Sequence, residues 1–244
     1  MKVFVYVEGE SDKLALAALW QGWKDRLRIQ RKGIDIIPLD DKAKYLRKIG
    51  ARAAEKLVAS PNDLVIGLPD LHPVANYQGT QYAHTDHASL SQLQVALVAR
   101  ALRETYGVAQ PNIAPHLARF YATSLKHDLE MLLLAAHDAL QEVLGARVVR
   151  TWRQPVEEHN LQDPPKRVVE RLFRTRSAKK RSYKDTLHAQ QVCVAFQRIS
   201  EQSCSTRMSN RSVPSSNQCW IGSARGRALS LTERNSATSW SQAG

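Results

Sequence analysis

Met1-Lys-Val-Phe-Val-Tyr-Val-Glu-Gly-Glu-Ser-Asp12 is the segment from which the fold is predicted. Its run of β-branched and aromatic residues from Val3 to Val7 is typical of a strand buried on both faces of a parallel sheet. Gly9 permits a sharp turn, and the Ser-Asp pair that ends the segment offers a helix N-cap. Glu8 is therefore expected at the carboxyl end of a central strand, where ligands of open α/β sheets bind.

The following residues continue the alternation of strand and helix. Strand patterns cover residues 33–39 and 63–68, and a helix capped by Asp40 or Asp41 connects them through Ala59. Further on, the sequence predicts a polar loop at residues 73–88, a helix at 90–102, a fourth strand within 115–121 and a helix at 128–144. This order favours right-handed crossovers and a parallel sheet, so the predicted fold class is α/β.

Charge is distributed unevenly along the chain. Residues 1–144 hold 17 Lys and Arg against 16 Asp and Glu, whereas residues 145–199 hold 13 against 5. A basic block beside a neutral domain favours a polyanion partner, although a solvated basic surface is the alternative. We predict a catalytic domain at residues 1–150, a basic helical extension at 151–199 and a tail at 200–244.

The composition changes abruptly near residue 200. Residues 200–244 contain 12 serines, against 7 in the preceding 199 residues, and lysine is absent after Lys184. Such a composition buries too little apolar surface to fold alone. We expect a disordered, dispensable tail that results from a frameshift, with a genuine disordered tail that contacts a partner as the alternative.

Compartment and cysteine chemistry are also indicated by the sequence. No apolar run approaches the length of about 18 residues that a membrane span requires, and Glu8 interrupts the first run before it reaches signal-peptide length. We therefore expect a cytoplasmic protein without membrane association. Cys193, Cys204 and Cys219 match no zinc-ligand spacing and are interpreted as incidental.

Acidic residues fall where predicted strands end. Glu8 follows the first strand, Asp70 follows the third, and Asp128 and Glu130 open the helix after the fourth. Carboxylates at one sheet edge repel one another, and a divalent cation offsets that repulsion, so we predict a site for Mg²⁺ or Mn²⁺. The alternatives are structural: aspartate is common in turns, and carboxylates at a helix N-terminus favour the helix dipole without metal.

The stretch Val7-Glu-Gly-Glu-Ser-Asp12 resembles the first motif of the Toprim family, found in topoisomerases, primases and OLD-type nucleases. In that family the first strand ends in a glutamate and the third in an Asp-x-Asp pair that binds metal. The matching triplet here is Asp70-Leu71-His72, so the second aspartate is replaced by histidine. Because histidine suits manganese better than magnesium, this departure puts the standard two-metal assignment in doubt.

A second resemblance covers residues 126–133, which read KHDLEMLL. One uncharacterised Toprim-like bacterial family carries a similar HEFEALLF signature and is often encoded beside an ATPase of the SMC or AAA type. His127 and Glu130 match that signature, and Asp128 replaces a glutamate. The family's proline-rich, basic segment that ends in Tyr-Lys is similar to residues 160–168 and 182–184, so the resemblance extends to about residue 199.

The resemblance implies a Toprim-like, metal-dependent nuclease of the OLD type that acts with a partner ATPase in phage defence. Its expected partner is nucleic acid, with DNA favoured and RNA left open as the alternative. Its implied catalytic residues are Glu8, Asp70 and Lys184. Lys184 would stabilise charge on the cleaved phosphodiester, and the alternative is that it is a solvated lysine without a role. The implied metal ligands are Glu8, Asp12, Asp70, His72, His127, Asp128 and Glu130. The implied nucleic-acid contacts are Lys166, Arg167, Lys179, Lys180, Arg181 and Lys184.

Two other functions fit the same residues. The histidine at position 72 is compatible with an inactive Toprim-like module that binds nucleic acid or an ATPase. A different α/β phosphohydrolase would instead use Asp70 as a nucleophile.

Overall fold

A computed structural model describes residues 1–152, 154–158, 162–177 and 182–209, with Glu157 and residues 203–209 described as backbone only. The chain divides into two compact units, residues 1–201 and 202–244. In the second unit, the described residues are the helical backbone that ends at Ser209. The predicted tail covers residues 200–244, of which residues 210–244 lie outside the described residues. For residues 210–244 the disorder stays a prediction.

A four-stranded parallel sheet forms the centre of residues 1–201. Strand β1 (Lys2–Val7) lies between β2 (Gly33–Pro38) and β3 (Leu64–Leu68), and β4 (Phe120–Ala122) pairs with β3. The strand order is β2-β1-β3-β4, and each pair is parallel. The predicted α/β fold with a parallel sheet is confirmed.

Helices connect the strands and flank the sheet. They are α1 (Glu10–Leu19), α2 (Gln21–Ile29), α3 (Lys42–Ala59), α4 (His87–Glu104), α5 (Gln110–Leu117), α6 (Glu130–Ala135), α7 (His137–Leu144), α8 (Pro165–Arg176) and α9 (Gln190–Ser209). Single turns lie at Ala75–Tyr77 and Val156–Glu158, and a π-helical turn at Asp185–Ala189 leads into α9. No helix within the described ranges is both long and apolar enough to cross a membrane.

The side chains of β1 alternate between two hydrophobic cores. Val5 and Val7 are buried with side chains of α1 and α6 to α9, and Tyr6 is buried with side chains of α3, α4 and α5. This alternation follows from the two-residue period of a strand. The uninterrupted apolar run from Val3 to Val7 therefore reflects burial on both faces, as predicted.

The basic extension contributes to the same core as the sheet. Val168, Phe173 and Val192, from α8 and α9, belong to the hydrophobic cluster that contains Val5. The packing brings residues 182–190 close to the carboxyl edge of the sheet. The predicted domain boundary at residue 150 stays a prediction.

Several element boundaries differ from those predicted. Helix α1 begins after Gly9, because the Asp12 carboxylate reaches back to accept the Gly9 N–H at 2.8 Å. Pro115 lies inside α5 rather than in a strand, and β4 begins only at Phe120. The helix predicted at 128–144 is interrupted at Ala136, whose ψ of 52° is not helical, so α6 and α7 are separate helices.

The predicted cap of α3 is observed, whereas the predicted start of the disordered tail is not. Asp41 caps α3 by accepting the Lys44 N–H at 2.7 Å. Helix α9 continues past residue 200 to Ser209, so residues 200–209 are helical and the disorder expected from residue 200 is wrong for them.

Candidate acidic site at the carboxyl edge of the sheet

Backbone pairing brings the ends of three strands together. Glu8 directly follows β1, and its Oε1 accepts the Asp70 N–H at 3.0 Å. Asp70 and Leu125 form a parallel bridge beyond β3 and β4, in which the Leu71 N–H donates to the Leu125 carbonyl at 2.6 Å. This extension places the segment that precedes α6 beside the end of β3.

Five carboxylates lie in this region, which we call the acidic edge. They are Glu8, Asp12, Asp70, Asp128 and Glu130, and they come from three stretches of sequence. Their charges influence one another's protonation. The sheet topology therefore collects the acidic residues that the sequence placed at strand ends.

Burial is the main electrostatic feature of the acidic edge. It raises the pKa of Glu8 to about 8, against the opposing effects of Lys42 and the Asp70 N–H. It also raises the pKa of Asp70 well above its usual range, and neighbouring carboxylates add to the shift, Glu8 most strongly. Burial likewise raises the pKa of Asp12 and of Glu130. These shifts mean that full ionisation of the acidic edge is costly without a compensating cation.

Lys42 supplies one such positive charge, and the sequence analysis missed it. The side chain is 6% exposed, and its Nζ donates to the Leu71 carbonyl at 2.5 Å. The ammonium also lies 5.4 Å from the centre of the Tyr77 ring. Burial lowers the pKa of Lys42, while Glu8 and Asp70 oppose that effect. Its position at the start of α3, after β2, places it at this edge of the sheet, but the sequence does not distinguish it from Lys44 in the same turn.

Lys166 supplies a second positive charge, from α8. Its Nζ lies 3.4 Å from Asp185 Oδ2. Burial lowers the pKa of Lys166, but Glu130 and Asp185 outweigh burial, so the pKa is raised overall. Lys166, predicted as a nucleic-acid contact, is thus placed beside the acidic edge.

Glu130 is 4% exposed and is held by the extension. The Tyr183 hydroxyl donates to Glu130 Oε1 at 3.0 Å. Burial raises the pKa of Tyr183, and the Glu130 charge raises it further, so the phenol stays protonated. Tyr183 lies in the Tyr-Lys segment of the family resemblance, which assigns no role to its side chain.

The predicted histidine ligands lie together. The rings of His72 and His127 stack with centroids 5.4 Å apart. Burial lowers the pKa of His72, and His127 and Lys42 lower it further, which favours a neutral imidazole. A neutral imidazole is the form that ligates a metal.

His84 and Asp86 of the polar loop have structural contacts. His84 is buried, with Nδ1 2.8 Å from the Tyr82 carbonyl and Nε2 3.2 Å from the Leu71 carbonyl. Asp86 caps α4 by accepting the Ser89 N–H at 2.8 Å. These contacts give both residues a structural role.

The predicted basic contacts are only partly described. Arg167 and Lys184 are exposed, whereas Lys179, Lys180 and Arg181 lie outside the described residues. The Lys184 backbone N–H donates to His188 Nδ1 at 2.8 Å. Their role in binding nucleic acid stays a prediction.

The donor chemistry of the acidic edge is compatible with a hydrated magnesium ion. Among the described residues, no three or more Asp, Glu, His or Cys side chains are arranged to surround a metal directly. Mg²⁺, however, keeps several waters and is usually held through one or two carboxylates. The crowded, partly buried carboxylates offer hard oxygen donors whose mutual repulsion a divalent cation would relieve.

Comparisons with known proteins give a weak structural likeness. No protein-family model and no curated protein matches the sequence. The C-terminal region of the Xanthomonas campestris pv. campestris OLD protein is 11% identical, with a TM-score of 0.40 over 84% of this chain and 97% of that one. The C-terminal region of the Burkholderia pseudomallei OLD protein is 13% identical, with a TM-score of 0.40 over 82% of this chain and 97% of that one. Likenesses at this level carry no argument about function.

Proposed function

We propose that this protein is a Toprim-like, metal-dependent nuclease of the OLD type that hydrolyses phosphodiester bonds in nucleic acid. The observation that carries the proposal is the acidic edge, where five partly or fully buried carboxylates from three stretches of sequence meet at the carboxyl end of a parallel sheet. Sites for ligands form at that end in open α/β folds.

The acidic residues would have different roles at this site. Glu8, Asp70 and Glu130 would hold Mg²⁺ or Mn²⁺, with Asp12 and Asp128 adding negative charge around them. When bound, the metal would activate a water and neutralise the departing oxygen. Lys184 and the exposed arginines of α8 would hold the phosphodiester backbone, which gives affinity without sequence choice.

A nicking assay tests the proposal directly. We expect the protein to nick supercoiled plasmid DNA with Mg²⁺ or Mn²⁺ and to be inactive in EDTA. Asp70→Asn keeps the shape of the side chain but removes its charge, so it should reduce nicking at least 100-fold, on the order of the loss when one strong electrostatic contact to the reaction is removed. Asp25→Asn, at an exposed position on α2 beside Arg28, is the matched control and should nick like the wild type. Nicking that persists in EDTA, or in Asp70→Asn, contradicts the proposal.

A non-cleaving module is the second candidate function. The observation that favours it is that Glu8, Asp12 and Glu130 already accept hydrogen bonds within the chain. Nucleic-acid binding with no nicking in either metal would support this candidate. Labelling of Asp70 by phosphate from a small phosphoester would instead support the phosphohydrolase. The partner ATPase and the role in phage defence are proposals that rest on the sequence resemblance alone.

We expect nucleic-acid affinity to depend on the exposed basic side chains of the extension. Neutralising Arg167, Arg174 and Lys184 together to glutamine should weaken binding to all sequences. Each lost phosphate contact should lower the slope of log affinity against log salt by about 0.9 on duplex DNA. Fluorescence anisotropy over a salt series measures this slope. Arg103→Gln, at an exposed position on α4, is the control. An unchanged slope in the triple variant would show that these three side chains do not form the binding surface.

A further inference from the structure

Three aromatic rings from the extension pack together beside the acidic edge. The centroids of Phe173 and His188 are 4.4 Å apart, and those of Phe173 and Tyr183 are 5.2 Å apart. Tyr183 and His188 lie 5.8 Å apart with their planes nearly parallel. Phe173 and His188 are 0% and 3% exposed. We call these three residues the aromatic stack, and its burial restricts the orientation of the Tyr183 ring.

The polar end of the aromatic stack contacts the acidic edge. The Tyr183 hydroxyl donates to Glu130 Oε1 at 3.0 Å, across 53 positions of sequence. A hydrogen bond to an ionised acceptor is among the stronger hydrogen bonds in proteins. Because Glu130 is itself 4% exposed, this contact restricts the direction in which its carboxylate faces.

The same stack also restrains the backbone of Lys184. The Lys184 N–H donates to His188 Nδ1 at 2.8 Å, and the Lys184 carbonyl accepts the His188 N–H at 2.8 Å. Lys184 directly follows Tyr183 in sequence. The orientation of Glu130 and the path of the chain at Lys184 are therefore set by one packed unit.

We propose that Tyr183 is a positioning residue that orients Glu130 for metal binding, with the aromatic stack as its rigid support. This inference rests on the proposed function, because it assigns Glu130 as a metal ligand. Residues that hydrogen-bond to a metal ligand fix its orientation and raise metal affinity. Tyr183 thus connects the basic extension to the acidic edge without contacting substrate.

Tyr183→Phe tests the proposal, because it removes the hydroxyl and leaves the aromatic stack. We expect Mn²⁺ affinity, measured by equilibrium dialysis of the full chain without nucleic acid, to fall by about 10- to 100-fold. Saturating Mn²⁺ should restore nicking, since the variant loses metal affinity and not a reacting group. Tyr121→Phe removes a hydroxyl from a tyrosine that is 55% exposed on β4, and it should bind Mn²⁺ like the wild type.

A double variant shows whether the effect passes through Glu130. In a Glu130→Gln background, adding Tyr183→Phe should cause no further loss of Mn²⁺ affinity, because coupled residues give non-additive effects. Equal losses in both backgrounds, or wild-type affinity in Tyr183→Phe, would overturn the positioning role while leaving the nuclease proposal intact. If the wild-type protein binds no Mn²⁺ and nicks no DNA, both the proposed function and this inference are contradicted.

Discussion

Glu8→Gln is expected to abolish metal-dependent nicking and, at the same time, to make the metal-free protein more stable near pH 8. Glutamine keeps an oxygen that can accept the Asp70 N–H, which Glu8 Oε1 accepts at 3.0 Å. It removes a negative charge from a crowded acidic cluster. Loss of one carboxylate from the proposed metal site should reduce nicking by on the order of 100-fold or more.

The gain in stability has a defined pH dependence. Burial raises the pKa of Glu8 from 4.5 to about 8 in the folded protein. Between these values the folded state binds more protons at Glu8 than the unfolded state does, so the free energy of unfolding falls as pH rises. The cost of ionising Glu8 is absent below about pH 4.5 and fully present above about pH 8. Each pKa unit corresponds to about 1.4 kcal/mol, so the cost is on the order of a few kcal/mol.

Urea denaturation of the metal-free wild type and Glu8→Gln across this pH range measures the effect. The two free energies of unfolding should be similar at the acidic end, and the variant should be the more stable one at the alkaline end. Glu55→Gln is the control, because hydrogen bonds from Lys56 and Arg52 lower the pKa of Glu55 rather than raise it. If the free energy of unfolding of the wild type depends on pH in the same way as that of Glu8→Gln, the raised pKa of Glu8 is contradicted.

The central part of the fold and of the acidic edge was predictable because its signals are local. The apolar run of β1 and the position of Glu8 after it lie within a few adjacent residues, and the parallel topology then requires Glu8 and Asp70 to approach. Asp128 and Glu130 were placed correctly after β4, even though the preceding strand starts only at Phe120. Strand ends are thus a reliable guide to which carboxylates share a sheet edge.

The parts that the sequence did not indicate depend on long-range packing. Pro115 was assigned to the fourth strand, but it lies in the second turn of the short helix α5, so tertiary packing overrides the usual exclusion of proline from a helix interior. The break at Ala136 has no proline or glycine to mark it. Tyr183 gains its role only because α8 packs against α6 and the turn before α9 packs against α1, which brings the Tyr183 hydroxyl to Glu130.

Lys42 is the clearest example of a residue that sequence patterns could not single out. It is one of 35 Lys and Arg residues, and nothing in its local sequence separates it from Lys44 and Lys48 of the same helix, whose side chains are each 45% exposed. Its burial arises because Leu71, on the segment after β3, places a carbonyl within 2.5 Å of the ammonium. In the metal-free protein, Lys42 is a counter-charge for Glu8, Asp70 and Asp128.

Lys42→Met should therefore destabilise the metal-free protein strongly near pH 8, by about 3–5 kcal/mol, the usual cost of leaving a buried charge without its partner. Methionine keeps most of the apolar volume of the side chain, so the loss reports mainly on charge. The destabilisation should shrink near pH 5, where Glu8 and Asp70 take up protons because their pKa values are raised. It should also shrink when Mg²⁺ is added, if the metal occupies the acidic edge.

Urea denaturation with and without Mg²⁺ measures these differences, with Lys48→Met as the matched control. Lys48 lies on the same helix and pairs with Asp40 at 2.9 Å, but it is 45% exposed, so its removal should cost no more than about 1 kcal/mol. A Glu8→Gln background adds a second check, because removing one carboxylate should lessen the need for the Lys42 charge. In the contrary outcome, Lys42→Met lowers the free energy of unfolding by the same amount in both backgrounds, at pH 5 and pH 8, and with or without Mg²⁺. That result would show that Lys42 stabilises only α3 and the segment that carries the Leu71 carbonyl. Smaller costs under each of these conditions would identify Lys42 as the internal cation that a divalent metal supplements at the acidic edge.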